Sequence, residues 1–137
     1  MNRRDFLLMT SAAAVTLPTV SWAAPLTYTD GLVQEHLAKG ETVFLDFKAS
    51  WCSTCAAQER VINALKDEYP DYEKAITFID VDWDDYGKSD LVKSLKIPRR
   101  STLVVLKGDA ELGRIVAGTG TAQIKELMDM ALTAATA

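Results

Sequence analysis

Two cysteines, Cys52 and Cys55, are the residues of this chain whose type and spacing most clearly indicate chemistry. They are the only cysteines and are separated by Ser53 and Thr54. An apolar run, residues 43–47, precedes them, and a stretch with the composition of a helix follows. Two thiols at this spacing, where a strand turns into a helix, can close a disulfide and reopen it by thiol exchange. The pair therefore indicates redox chemistry.

The helix after the cysteines is predicted from residue 52 to about residue 69, with Cys52 in its first turn. Its predicted apolar face consists of residues that recur every four positions: Ala57, Val61, Leu65 and Tyr69. Unpaired backbone N–H groups and the helix dipole stabilise an anion at a helix start, which lowers the pKa of a thiol there. We therefore expect Cys52 to attack a disulfide on a partner and the more buried Cys55 to attack Cys52 and release the reduced partner. Ser53 and Thr54 would tune the reduction potential through their backbone N–H groups and hydroxyls.

A carboxylate, Asp46, interrupts the apolar run before the cysteines. Burying a carboxylate is costly unless it is paired or protonated, and burial raises its pKa. The run is otherwise apolar on both faces, which is typical of a central strand covered by helices. We therefore expect Asp46 to be a buried proton acceptor for Cys55; an outward-facing residue on an edge strand is the alternative.

Strands and helices alternate along the rest of the chain. The predicted elements are a strand at 26–28, a helix to about 39, a strand at 43–47, the helix at 52–69, a strand at 76–81, a helix at 89–96, strands at 102–106 and 112–117 joined by a five-residue loop, and a helix from about 121. Thr29 or Asp30 is predicted to cap the first helix, and Thr121 the last. This order predicts one α/β domain with a mixed central sheet of four to five strands and helices on both faces.

The first 23 residues have the features of an export signal. The pair Arg3-Arg4 is followed by the apolar residues 6–9, and small residues at Ser21 and Ala23 occupy the positions that a signal peptidase reads. The segment resembles a bacterial twin-arginine signal, and we predict cleavage after Ala23. A retained N-terminal anchor is the alternative.

Export would leave a domain at residues 24–137 in the periplasm. The apolar part of the signal is too short and too mild for a spanning helix, and we expect no membrane span after its removal. The bacterial periplasm is oxidising, so a cysteine pair there oxidises unless something keeps reducing it.

The segment at residues 44–55 resembles the active site of thioredoxins: an apolar strand with an embedded Asp46, an aromatic residue, an alanine, and then Trp51 and the two cysteines. The resemblance covers about residues 26–135. It implies a thioredoxin-like fold and thiol–disulfide oxidoreductase activity. It also implies that Cys52 is the nucleophile, Cys55 the resolving cysteine and Asp46 the buried carboxylate, and that Trp51 shields the disulfide and contacts the partner.

Two departures from the thioredoxin pattern concern the surroundings of the pair. Thioredoxins usually carry Gly-Pro between the cysteines, where this chain has Ser53 and Thr54, so a different potential is expected. A lysine often found near the buried carboxylate, on the next strand, is replaced by Phe78, which predicts a more isolated Asp46.

The third departure lies in the loop before the hairpin. Where the family has a cis-proline before a threonine, this chain has Ser101 before Thr102, and Pro98 stands three residues early. A cis bond without proline costs about 2.5–4 kcal/mol, so we expect a trans bond. The loop should still face the cysteines, and Arg100, Ser101 and Thr102, with Trp51, are the predicted substrate-binding residues. Because the family's proline keeps metals off the cysteine pair, its replacement leaves metal binding open.

The sequence therefore predicts an exported, monomeric thiol–disulfide oxidoreductase that reduces protein disulfides through Cys52 and Cys55. We expect no further cofactor and no metal, and a membrane thiol-transfer protein as electron donor. The net charge of −4 argues against a nucleic-acid partner.

Two alternatives stay open at this point. One is a disulfide-forming oxidase or isomerase of the same fold. The other is a non-enzymatic protein in which the pair is a static disulfide, or shares a metal or iron–sulfur cluster between two chains.

Overall fold

The structure, a computed structural model, describes residues 13–14 and 24–137. Nearly all of the predicted export signal lies outside these residues, so the signal and its cleavage stay predictions. The described elements are β1 Leu26–Thr27, α1 Leu32–Ala38, β2 Thr42–Lys48, α2 Ser53–Glu68, α3 Asp71–Ala75, β3 Thr77–Asp82, α4 Trp83–Tyr86, α5 Asp90–Leu95, β4 Thr102–Lys107, β5 Ala110–Val116 and α6 Thr121–Ala135. Of the helices in this part of the chain, none has the length and apolar character needed to cross a bilayer.

The strands form one mixed sheet in the order β1-β3-β2-β4-β5. The strands β1, β3 and β2 run parallel, whereas β4 is antiparallel to both β2 and β5. The predicted mixed sheet is confirmed, with β2 at its centre. Because β2 leads directly into the cysteines, the site begins at the end of a strand that is paired on both sides.

Helices cover both faces of the sheet, as predicted. The core on one face combines strand residues such as Phe44 and Leu103 with residues of α2, α3 and α6. The core on the other face combines Leu45 and Val104 with residues of α1 and α5. Successive strand residues point to opposite faces. Asp46, two residues after Phe44, therefore faces α2, the helix that carries both cysteines.

The predicted caps of the first and last helices are wrong. The first helix begins after Gly31 rather than after Thr29 or Asp30, and Gly31 has φ 87°. This left-handed conformation favours glycine and is not helical, so the first helical residue is Leu32. The last helix already includes Thr121, and Gly120 precedes it in an extended conformation without a side-chain cap.

The hairpin turn between β4 and β5 is tighter than the predicted five-residue loop. Lys107 pairs with Ala110, so only Gly108 and Asp109 connect the two strands. Gly108 has φ 57°, as two-residue hairpin turns require. The ladder continues past the apolar residues on which the strand prediction rested, because backbone pairing does not depend on apolar side chains.

Two short helices, α3 and α4, are absent from the sequence prediction. Four or five residues carry no helical periodicity that a sequence can reveal. The second is held by Asp82, whose carboxylate accepts the backbone N–H groups of Asp84 and Asp85. This N-cap is the usual role of an aspartate at a helix start.

Leu103→Ala tests the core between the sheet and the helices. Leu103 is fully buried in the centre of the sheet, so its truncation leaves a cavity and should cost about 2–5 kcal/mol of unfolding free energy in urea denaturation. Leu26→Ala on the edge strand, where the side chain is 41% exposed, is the matched control and should cost less than about 0.5 kcal/mol. Equal losses of unfolding free energy in the two variants would contradict the burial of Leu103 between the sheet and the helices.

Candidate active site

Cys52 lies at the junction between the central strand and α2. It is the N-cap residue of the helix, with an extended backbone (φ −92°, ψ 111°), and its Sγ accepts the backbone N–H of Cys55 at 3.1 Å. The two cysteines are disulfide-bonded, with Cα atoms 5.2 Å apart, and Cys55 is the more buried. The backbone N–H that reaches Cys52 Sγ is that of Cys55. Ser53 is exposed and Thr54 is half-buried, and their effect on the reduction potential stays a prediction.

Ser101 closes the other side of the disulfide. Its Oγ lies 3.1 Å from Cys52 Sγ and 3.1 Å from Cys55 Sγ, and the residue is fully buried. The described residues contain no cis peptide bond, in agreement with the trans bond expected before Ser101. The loop faces the cysteines, as predicted, but through a side chain that touches both sulfur atoms.

Gln58 of α2 holds this loop in place and was missed by the sequence analysis. It is fully buried, and its Nε2 donates to the carbonyl oxygens of Ser101 at 2.9 Å and Gly118 at 3.0 Å. Of the predicted apolar face, Leu65 is buried, Ala57 and Val61 are half-buried and Tyr69 is exposed. The buried face is rotated towards Cys55, Gln58 and Ile62. The spacing of Gln58, three residues after Cys55, was the available signal.

Asp46 is buried in the centre of the sheet, with 5% of its surface exposed. Within residues 24–137 its Oδ1 has no hydrogen-bond partner. Burial raises the pKa of Asp46 to about 7, with Asp80 and Glu59 adding to the rise and Lys48 opposing it. A carboxyl with this pKa can take up or release a proton near neutral pH.

Lys48 supplies a cation beside this carboxyl. Its Nζ lies 3.9 Å from Asp46 Oδ2, 3.7 Å from Asp80 Oδ2 and 3.2 Å from Glu59 Oε2. Residues 46 and 48 share a face because side chains alternate along a strand. The expectation that Asp46 is more isolated is therefore wrong: Phe78 occupies the lysine position on the next strand, and a lysine from Asp46's own strand lies nearby instead.

A cavity of about 250 Å³ lies beside this cluster of charges. Its lining includes Asp46, Lys48, Glu59, Asp80 and Lys66. The Lys66 ammonium lies 3.9 Å from the centre of the Phe78 ring, and burial lowers its pKa. Several charged side chains therefore line the cavity beside the buried carboxyl of Asp46.

Trp51 and Arg100 lie beside the disulfide, Trp51 exposed and Arg100 half-buried. Trp51 is 58% exposed, and its indole N–H donates to the Asp84 carboxylate at 3.1 Å. The Arg100 guanidinium lies 4.4 Å from the centre of the Trp51 ring. Ser101 and Thr102 are buried, so a partner can reach Trp51 and, less fully, the half-buried Arg100 that packs on its ring.

The sequence profile of the thioredoxin family matches residues 25–130. The chain belongs to the thioredoxin family. Membership of this family, together with the Cys52–Cys55 pair, supports thiol–disulfide oxidoreductase chemistry.

Individual relatives agree with this assignment. Thioredoxin H2-1 of Oryza sativa subsp. japonica is 30% identical over 87 residues, 64% of this chain and 59% of that protein. A thioredoxin from Echinococcus granulosus is 29% identical over 100 residues, 72% of this chain and 87% of that protein. The solved structure of Trxlp from Edwardsiella tarda EIB202 shares the fold, with a TM-score of 0.66 at 21% identity, covering 77% of this chain and 98% of that one. The match spans less than two thirds of the Oryza protein's length.

The site departs in two places from the thioredoxin pattern described for the sequence. The buried Ser101 hydroxyl stands where that pattern has a proline, and the cation near Asp46 is Lys48 of β2. In the part of the chain that the structure describes, no group of three or more His, Cys, Asp or Glu side chains is arranged to hold a metal ion. That the couple works without metal or cofactor stays a prediction.

Asp46→Asn tests the cost of burying this carboxyl. Between about pH 4 and pH 7 the unfolded chain has lost a proton that the folded protein keeps, so the stability of the wild type falls as the pH rises through this window. Asparagine does not ionise. The stability of Asp46→Asn relative to the wild type should therefore rise by roughly 4 kcal/mol between pH 4 and pH 8, measured by urea denaturation of the disulfide-bonded proteins.

The control for this experiment is Asp67→Asn, which removes an exposed carboxylate from the same helix that Asp46 faces. Its stability relative to the wild type should change little over the same range. A stability difference between Asp46→Asn and the wild type that is the same at both pH values would contradict the raised pKa.

Proposed function

We propose that the protein is an exported thiol–disulfide oxidoreductase that reduces protein disulfides through Cys52 and Cys55. The observation that carries the proposal is the position of Cys52 Sγ, which accepts a backbone N–H in the first turn of α2. A helix start stabilises a thiolate, and the thiolate is the reactive form of cysteine.

The reduced protein begins the reaction with an attack by the Cys52 thiolate on one sulfur of a partner's disulfide. A mixed disulfide forms, and the partner's other sulfur leaves as a thiolate. Cys55 then loses its proton and attacks Cys52 Sγ, so the Cys52–Cys55 bond forms and the second partner sulfur leaves. Two electrons pass from the pair to the partner.

Asp46 is the proposed acceptor for the Cys55 proton. Its pKa of about 7 allows it to be ionised before the step and protonated after it at neutral pH. Lys48, at 3.9 Å, favours the ionised form that is needed at the start.

Trp51 and Arg100 are the proposed contacts for the partner, because Trp51 is exposed directly before Cys52 and the Arg100 guanidinium lies over its ring. The export signal predicted at residues 1–23 supports a periplasmic location, where the oxidised pair would need a continuing source of electrons. A membrane thiol-transfer protein is the proposed donor, and a monomer without nucleic-acid partners is the expected state.

A second candidate is a disulfide-forming oxidase or isomerase. The buried hydroxyl of Ser101 beside both sulfur atoms favours it, since any group that stabilises the reduced pair makes the disulfide a stronger oxidant.

Insulin reduction in the presence of dithiothreitol tests the proposed activity. Cys52→Ser removes the attacking sulfur and should lower the rate to that of dithiothreitol alone. Cys55→Ser retains the attack but not the release, so it should accumulate a covalent adduct at Cys52, detected by mass spectrometry after incubation with a disulfide substrate.

The two variants are matched, since each exchanges one sulfur for one oxygen at neighbouring buried sites. A wild-type protein that does not accelerate insulin reduction, or a Cys52→Ser variant that still does, would contradict the proposed activity.

A further inference from the structure

The Ser101 hydroxyl has an unusual set of neighbours. Among the described residues its hydrogen-bond partners are two sulfur atoms, Cys52 Sγ and Cys55 Sγ, each at 3.1 Å. The residue is fully buried, so water does not complete its hydrogen bonding. This hydroxyl therefore depends on the cysteine pair for its hydrogen bonds.

The strength of a hydrogen bond from the Ser101 hydroxyl to sulfur depends on the redox state of the cysteine pair. Neutral sulfur is a weak acceptor, whereas a hydrogen bond to a charged acceptor is roughly twice as strong as one between neutral groups. Reduction adds two electrons and one proton to the disulfide, which gives a Cys52 thiolate and a Cys55 thiol. The hydroxyl keeps its own proton throughout, but it gains a charged acceptor in the reduced state alone.

We propose that the Ser101 hydroxyl donates a hydrogen bond to the Cys52 thiolate in the reduced protein, and that it thereby makes the Cys52–Cys55 disulfide easier to reduce. This inference rests on the proposed function and adds a catalytic residue to it. Cys52 is the acceptor because the N–H of Cys55 already stabilises its anion. The hydroxyl oxygen keeps lone pairs with which it can accept the S–H of Cys55.

The backbone holds Ser101 in place for this role. Its φ of 63° lies in the left-handed region, which is costly for a residue other than glycine and persists only where the surroundings enforce it. The Ser101 N–H donates to the Phe47 carbonyl at 2.7 Å, and its carbonyl accepts from Ala117 N–H at 2.8 Å and from Gln58. Contacts from β2, from α2 and from the residue after β5 therefore fix the backbone that carries the hydroxyl.

Two substitutions separate the hydroxyl from the backbone conformation. Ser101→Ala and Ser101→Gly both remove the hydroxyl, but alanine keeps the strained left-handed backbone and glycine relieves it. The two variants should therefore differ in stability. If the hydroxyl acts on Cys52, both should nevertheless shift the equilibrium with glutathione towards the disulfide by about tenfold, which is about 30 mV for a two-electron couple.

The pH dependence of the thiolate absorbance near 240 nm in the reduced proteins gives a second readout. Both variants should require a pH about one unit higher to form the Cys52 thiolate, since one unit corresponds to the same tenfold change. Ser94→Ala is the control: it removes another serine hydroxyl, on α5, which donates to the Leu91 carbonyl. It should leave both readouts unchanged.

Insulin reduction by the wild type distinguishes the failure of this inference from that of the proposed function. If the wild type reduces insulin while both Ser101 variants keep its glutathione equilibrium within about twofold, the role of the hydroxyl is overturned and the activity stands. The role of the hydroxyl would also be overturned if the glutathione equilibrium shifted in only one of the two Ser101 variants, in step with its change in stability. The backbone conformation, and not the hydroxyl, would then be the cause.

Discussion

The site depends on one constraint: the chain must pass from a central strand into a helix in such a way that Cys52 Sγ receives an N–H group of the first turn. The central position of β2 fixes the start of this passage, since the strand is paired on both sides. The buried face of α2 fixes its end. The 3.1 Å contact between Cys52 Sγ and the N–H of Cys55 is the result, and the proposed reactivity of the sulfur rests on it.

Around this junction the protein keeps polar groups in an apolar interior. Asp46, Gln58 and Ser101 are all buried, and each is costly to bury without partners. Gln58 and Ser101 are connected by a hydrogen bond, so the loop beside the disulfide and the helix that carries it form one unit. At Asp46, burial outweighs the attraction of Lys48 and brings the pKa to about 7. At Asp46 the buried carboxyl therefore lowers the stability of the fold where it is ionised, and its titration lies near neutral pH.

The sequence was sufficient for the framework of the molecule. The alternation of strands and helices predicted the sheet, and the apolar run of β2 predicted the burial of Asp46, because each depends on local pattern. The family was indicated by the resemblance of residues 44–55 to thioredoxins. Three features of the site were not predicted from the sequence. Lys48 was not predicted, because the lysine of the thioredoxin pattern was expected on the neighbouring strand. Gln58 was not predicted, because the apolar face of α2 was drawn through Ala57 and Val61. The contact of Ser101 with both sulfur atoms depends on a loop conformation that no local pattern encodes.

The central claim is that Cys52 is held as a thiolate at the start of α2. The most direct test is the rate of alkylation of Cys52 by iodoacetamide as a function of pH, in the Cys55→Ser variant so that one sulfur reacts. The account predicts a midpoint well below the pKa of about 8.5 of an ordinary cysteine. A midpoint at or above that value would contradict it.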